Sequence, residues 1–174
     1  MHTYPNRRQN SPPRSARQRP PDPLADVVDT ATRSRMMSGI RGRDTKLEVF
    51  LRRALHRRGF RFRKNVTGLP GKPDIVLRRY NAIILANGCF WHGHHCHLFR
   101  LPATRPEFWQ NKIEANMTRD ARNIDQLRET GWRVLLVWEC AWKGRTRITP
   151  EDLVDRTAGW ITGSTEFAEI EGAA

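Results

Sequence analysis

Fifteen residues, Ile83 to His97, combine an apolar run, two cysteines, four histidines and the aromatic pair Phe90-Trp91. Cys89, His94 and Cys96 make a C-x4-H-x-C cluster of thiol and imidazole donors, the ligand types that hold zinc tetrahedrally, and Cys140 is the one cysteine left to supply a fourth. Intracellular cysteines also serve as small buried hydrophobes, and a histidine-rich loop can simply be solvated. Both accounts stand at this level, and the spacing does not fix which histidine ligates. Three carboxylates stand out elsewhere. Asp74 closes a Pro-Asp pair just before the apolar run Ile75-Val76-Leu77; one well-placed aspartate can anchor magnesium, which takes one or two carboxylates together with water and phosphate. Glu48 lies three residues after Thr45, a spacing that also describes a helix capping box. Asp120 falls among Ile113, Met117, Ile124 and Leu127 at helical spacing, so its charge requires a cation, a histidine or a metal-bound water opposite it.

These residues need elements to hold them. Leu47, Phe50, Leu51, Ala54 and Leu55 recur at helical spacing before Gly59, which predicts a helix of about three turns. Phe60 and Phe62 alternate with Arg61 and Arg63 as in a strand. Pro73 to Leu77 and Ala82 to Ala86 read as two strands joined by Arg78-Arg79-Tyr80-Asn81, a connection of hairpin length, and so as antiparallel neighbours. Ala82 to Ala86 runs into Asn87-Gly88, which places the cysteine–histidine stretch just past a strand end. Glu107 to about Thr130 reads as a long helix closed by Gly131, Arg133 to Trp138 as a central strand covered on both faces, and Thr149-Pro150 as the start of a helix reaching about Ile161. The fold class is α/β, a mixed central sheet flanked by helices.

A chain of 174 residues supports one well-packed domain. Its net charge of +13 favours a polyanionic partner, nucleic acid ahead of a membrane, and no apolar run approaches bilayer-spanning length. An odd cysteine count without a secretion signal disfavours a disulfide framework and places the protein in the cytoplasm. Residues 1–25, rich in proline and arginine, read as a disordered basic tail, leaving one domain over 26–174 that we expect to be monomeric. From Arg33 to Arg63 eleven basic residues oppose two acids, an electrostatic footprint suited to phosphates, although any one of these arginines could simply be solvated.

The segments Arg43-Asp44-Thr45-Lys46-Leu47-Glu48, Leu69-Pro70-Gly71-Lys72-Pro73-Asp74, Asn87-Gly88-Cys89-Phe90-Trp91-His92, Pro102 to Trp109 and Val137-Trp138-Glu139-Cys140 occur in the order in which the very short patch repair endonucleases carry theirs, and the chain resembles that family from about Thr32 to Trp160. The resemblance implies a restriction endonuclease-like fold with one structural zinc, and a magnesium-dependent nick in double-stranded DNA 5′ of the thymine of a T·G mismatch left by deamination of 5-methylcytosine. That origin links the activity to a cytosine-5 DNA methyltransferase. It implies zinc at Cys89, His94, Cys96 and Cys140, and magnesium at Asp74. His92 would act on the attacking water or the phosphate, with Glu48 and Asp120 in support. Phe90, Trp91 and Trp109 would wedge beside the mispair, although core packing is the default for any one aromatic. Arg33, Arg43 and Lys72 would contact the DNA. Restriction-type sites normally follow the aspartate with an acid and a lysine one strand later; here no Asp or Glu occurs between Asp74 and Glu107, and Ala86-Asn87-Gly88 stands in that place. Asn87, histidine in some relatives, has no titratable nitrogen and can only orient. Two other readings remain: a restriction-like enzyme cutting both strands without a mismatch, and a non-catalytic zinc module that binds DNA.

Overall fold

The computed structural model describes residues 43–173; the tail 1–25 and Arg33 lie outside the described residues. Four strands, β1 (Ile75–Leu77), β2 (Ala82–Asn87), β3 (Arg133–Trp138) and β4 (Phe167–Ile170), form one mixed sheet in the order β1-β2-β3-β4. β1 and β2 are antiparallel across the short 3-10 turn Arg78–Tyr80, with Ile75 opposite Ile84. The other two pairings are parallel, with Asn87 opposite Trp138 and Val137 opposite Ile170. The helices are α1 (Lys46–Arg57), α2 (Pro106–Glu129), the single turn α3 (Glu139–Trp142) and α4 (Pro150–Thr162).

Alternate side chains of each strand enter opposite cores, the two-residue period of a sheet covered on both sides. Ile75, Leu77, Ile84, Leu135 and Val137 pack with Leu47, Leu51 and Leu55 of α1 and Leu153 and Ile161 of α4. Val76, Ile83, Val134 and Leu136 pack on the other side with Leu127 of α2 and with Cys89 and Cys140. The cysteine–histidine loop is thus built into one core.

The long helix, the central strand and the Thr149 cap stand where the pattern places them; Thr149 accepts from the Asp152 amide, with Pro150 in the first turn. The Phe60–Arg63 strand does not form. Only Arg63 pairs, as an isolated bridge to Val76, because Asn65, at φ 49°, turns the chain away two residues later. Met117 leaves the expected apolar stripe and is 46% exposed, so α2 buries a narrower face than the spacing suggests. β4 and α3 had no signal: Phe167-Ala168-Glu169-Ile170 is short and carries an acid, and a single turn is too brief to show a period.

Arg133 ties the first residue of β3 to the end of α4. Its guanidinium donates to the carbonyls of Trp160 (2.5 Å), Ile161 (3.0 Å) and Thr165 (3.0 Å) and lies 4.5 Å from the Trp160 ring centroid. A planar cation suits three carbonyls at a helix C-terminus, where the dipole favours positive charge. Arg133→Ala should destabilise the fold by about 2 kcal/mol, read as a lower denaturant midpoint at unchanged slope, with Arg133→Lys recovering only part.

Candidate active site and metal centre

The carboxyl end of β2 opens a cleft of about 1090 Å³. It faces outward where the parallel strands end, the usual position of a site in an α/β sheet. Glu48, Asp74, Asn87, Phe90, Trp91, His92 and Asp120 all line it, as do Arg43 and Lys72. These residues come from α1, the β1 entry, β2, the loop and α2, so only the tertiary structure brings them together.

Asp74 precedes β1, and its Oδ2 accepts the Ala86 amide at 2.8 Å, which holds the carboxylate against β2. Burial pushes its carboxyl up to about 6; the Ala86 hydrogen bond opposes the rise, and the negative charge of Glu48 adds to it. Glu48 is 2% exposed. Its Oε1 accepts from the Thr45 amide (3.2 Å) and hydroxyl (2.8 Å), and its Oε2 from the Asp44 amide (2.9 Å). The capping box therefore exists, and it holds a carboxylate in the cleft rather than competing with a place there.

Asp120 has the partner its position demands. Its Oδ2 lies 2.5 Å from His92 Nδ1, and its Oδ1 accepts from Arg119 at 3.1 Å. Burial alone would raise this carboxyl, but the His92 and Arg119 contacts outweigh burial and hold it below the ordinary carboxylate range. With Nδ1 donating to Asp120, the other ring nitrogen of His92 is left to accept a proton. Asn116, one turn before Asp120, donates to the Trp91 carbonyl at 3.0 Å, so one edge of α2 grips both residues of the Trp91-His92 pair.

Phe90 and Trp91 do not diverge as neighbours on an extended strand would. The backbone turns here, and their rings meet edge to face at 5.1 Å, with Trp109 at 5.5 Å from Phe90 and 6.1 Å from Trp91. All three are partly exposed. Gly93 then takes φ 64°, where an added Cβ would strike Met117 Sδ at 2.4 Å. The left-handed backbone favours glycine, and the turn sends His92 to the cleft and His94 the other way.

Behind the loop, Cys89, His94, Cys96 and Cys140 present donor atoms that all lie within 4.8 Å of one another. His94 Nδ1 is 3.6 Å from both Cys89 Sγ and Cys140 Sγ. Zinc bonds of about 2.3 Å to sulfur and 2.0 Å to nitrogen put the edges of a tetrahedron at about 3.5 Å, so the donor set and its spacing fit that ion. Burial pushes the Cys89 and Cys140 thiols up, and a cation bound there would displace their protons. His94 is also oriented from outside the cluster: its Nε2 meets Glu171 at 2.9 Å, and Trp138 stacks on its ring at 4.1 Å and 15°. Gly172 donates to Cys140 Sγ at 3.3 Å, and Trp138 donates to Glu169 at 2.6 Å.

Trp109 sits beside the other aromatics, but it is not among the residues lining the cleft. Several cleft residues escaped the sequence reading: Lys112, Asn116, Arg119, Asn123, Glu139 and Lys143. Glu139 accepts the Cys89 amide at 3.3 Å and pairs with Lys143 at 2.5 Å. Its place next to Cys140 was the available signal; the α2 residues offered only a polar helix face.

The model of the DNA mismatch endonuclease Vsr family matches residues 25–98. The chain is 50% identical over 148 residues to the DNA mismatch endonuclease Vsr of Escherichia coli strain K12, covering 85% of this chain and 95% of that protein. It is 41% identical over 122 residues to the type II nicking enzyme V.NmeAIP of Neisseria meningitidis, covering 70% and 87% of the two chains. It is also 41% identical over 117 residues to the type II nicking enzyme V.XorIIP of Xanthomonas oryzae, covering 67% and 86%. Half identity over almost the whole of one relative, with the cleft and the cysteine–histidine cluster both assembled, places this chain in the Vsr family of DNA mismatch endonucleases.

Proposed function

We propose that this protein nicks double-stranded DNA on the 5′ side of the thymine of a T·G mismatch left by deamination of 5-methylcytosine, the first step of very short patch repair. The observation that carries the reading is the His92–Asp120 pair at 2.5 Å, set in one cleft with Asp74 and beside the cluster of Phe90, Trp91 and Trp109. Acid–base chemistry and an aromatic platform for bases thus share one loop. Such a substrate requires a cytosine-5 DNA methyltransferase acting on the same DNA, and the protein works on it as a cytoplasmic monomer. Among the described residues no helix is long and apolar enough to cross a membrane.

Asp74, with Glu48 close behind it, would hold Mg2+, which when bound supplies positive charge to the scissile phosphate. His92 takes the proton of the attacking water on Nε2, because Nδ1 is committed to Asp120. Asp120 fixes that tautomer and stabilises the imidazolium that forms. Asn87, 8% exposed at the end of β2, orients the water or phosphate through its amide. Arg43 and Lys72, exposed on the cleft, meet backbone phosphates. Cys89, His94, Cys96 and Cys140 would hold structural Zn2+, which when bound would fix the loop carrying Phe90, Trp91 and His92. Unstacking a base step costs a few kcal/mol, and a mispair opens more cheaply, so wedging aromatics select it by deformability as well as by contact.

Labelled duplexes carrying T·G, U·G, T·A or C·G, incubated with Mg2+, test the reading. One nick confined to the T·G strand is expected; equal cutting of matched duplex would instead support a mismatch-independent restriction-like enzyme, and no cutting with intact binding a non-catalytic zinc module. In the same assay Trp91→Ala and Trp109→Ala should each cost about 1–3 kcal/mol of the preference for mismatched DNA. Arg43→Ala and Lys72→Ala should weaken binding to every duplex alike and flatten its salt dependence.

Asp74→Asn and His92→Ala should abolish nicking while binding and zinc content persist, and Asn87→Ala should slow it less. Asp120→Asn keeps the shape but not the tautomer, so a loss of about 10²–10⁴ in rate is expected. Asp74 can hold Mg2+ only when ionised, and burial pushes its carboxyl up to about 6, so the wild-type rate should rise as pH climbs through about 6 and then level. Near-normal turnover by His92→Ala would remove it as the base.

Elemental analysis should find one zinc per chain. A structural zinc contributes about 10–16 kcal/mol of apparent binding energy against roughly 5–15 for a whole domain, so Cys140→Ala should unfold or aggregate rather than merely slow. Melting of Cys140→Ala at the wild-type temperature would contradict this.

A further inference from the structure

α1 carries a buried arginine that the chemistry above leaves unused. Arg52, 8% exposed, lies one turn beyond Glu48 on the same helix face. Its Nη2 donates to Asp44 Oδ1 at 2.5 Å. Its Nη1 stands 3.7 Å from Glu48 Oε2, beyond hydrogen-bonding distance, and is buried without a hydrogen-bond partner among the described residues. Glu48 lines the cleft together with Asp74, whereas Arg52 lies behind Glu48 and does not line it; the charges of Glu48 and Arg52 act on Asp74 with opposite sign.

Two carboxylates in one cleft disfavour each other's charge, and burial sharpens the repulsion. An arginine kept for packing or capping alone distributes its donors over carbonyls, as Arg133 does at the end of α4. Arg52 does otherwise. It spends Nη2 on Asp44, whose backbone sits at φ 55° in the turn that feeds Glu48 its amide hydrogen bonds, and leaves Nη1 near Glu48 without a bond among the described residues. Such a cation is tolerable where neighbouring negative charge offsets it.

We propose that Arg52 is an internal counter-charge, a positioning residue that holds the buried Glu48 carboxylate in the cleft it shares with Asp74 while no divalent cation is bound. The site is then assembled before the cation arrives, which spares reorganisation at binding. Arg52 does not touch substrate. The proposal rests on Glu48 and Asp74 being the Mg2+ carboxylates, and its test separates the two ideas.

Melting of the full-length, zinc-loaded chain is followed with and without millimolar Mg2+. Arg52→Met should melt about 5–10 °C below wild type in metal-free buffer. Mg2+ should restore at least half of that loss while moving wild type little, and Arg52→Lys should keep most of the wild-type stability. A cycle with Glu48→Gln, which retains the capping box, is run without Mg2+. Removing the carboxylate charge should make Arg52→Met markedly less damaging, and a double variant that folds where Arg52→Met alone does not is the same result in stronger form. Additive losses, or a double variant that also fails to fold, would overturn the counter-charge. Coupling in the cycle without rescue by Mg2+ would uphold the counter-charge and overturn the placement of Mg2+ at this pair.

Discussion

The loop from Gly88 to Cys96 has no regular secondary structure, so its shape depends on the convergence of Cys89, His94 and Cys96 on Cys140. Backbone hydrogen bonds alone would leave such a segment among the least stable parts of a domain. Here its two ends are gathered against the end of β3, and Phe90, Trp91 and His92 between them are turned toward the cleft. The whole site hangs on that gathering. Glu139 adds to it from the neighbouring position by accepting the Cys89 amide, so the short helix α3 holds the loop through two consecutive residues.

From the other side α2 supplies the matching grip. Asn116 and Asp120, one helical turn apart, hold the Trp91 carbonyl and the His92 ring. A displacement of Trp91 therefore acts on the same helix edge that orients His92. In the proposed reaction this links opening of the mispair to placement of the base, since neither residue can move far without straining a bond to α2. The charge arrangement fits the same purpose. Arg43, Lys72, Lys112, Arg119 and Lys143 are exposed, whereas Glu48 is buried and Asp74 is largely shielded. In the proposed reaction the outer cations would draw phosphates toward the carboxylates beneath them.

Glu48 shows how a local motif and a site residue can be the same atom set. The capping box needs a glutamate at the third helical position, and its reciprocal bonds fix the side chain that lines the cleft. The competing explanations read from Thr45-x-x-Glu48 were therefore never exclusive. The same holds for the cysteines: Cys89 and Cys140 are buried hydrophobes of the α2-side core and also members of the cluster.

β1, β2 and β3, the long helix, the cluster of thiol and imidazole donors and the need of Asp120 for a partner were legible in the sequence, because hydrophobic period, ligand type and the cost of a buried charge are local properties. The sequence did less elsewhere. It did not determine β4 or α3, which are short and lack a period, nor therefore that Glu171 and Trp138 would orient His94. It misread Phe60–Arg63 as a strand, since alternation cannot report a turn at Asn65 that ends pairing after one bridge. That His92 faces Asp120 while His94 faces the cysteines follows from the folded loop. That choice rests on a left-handed glycine between them and on packing against Met117, 24 residues further along the chain, and contacts of that range leave no mark in the spacing of residues.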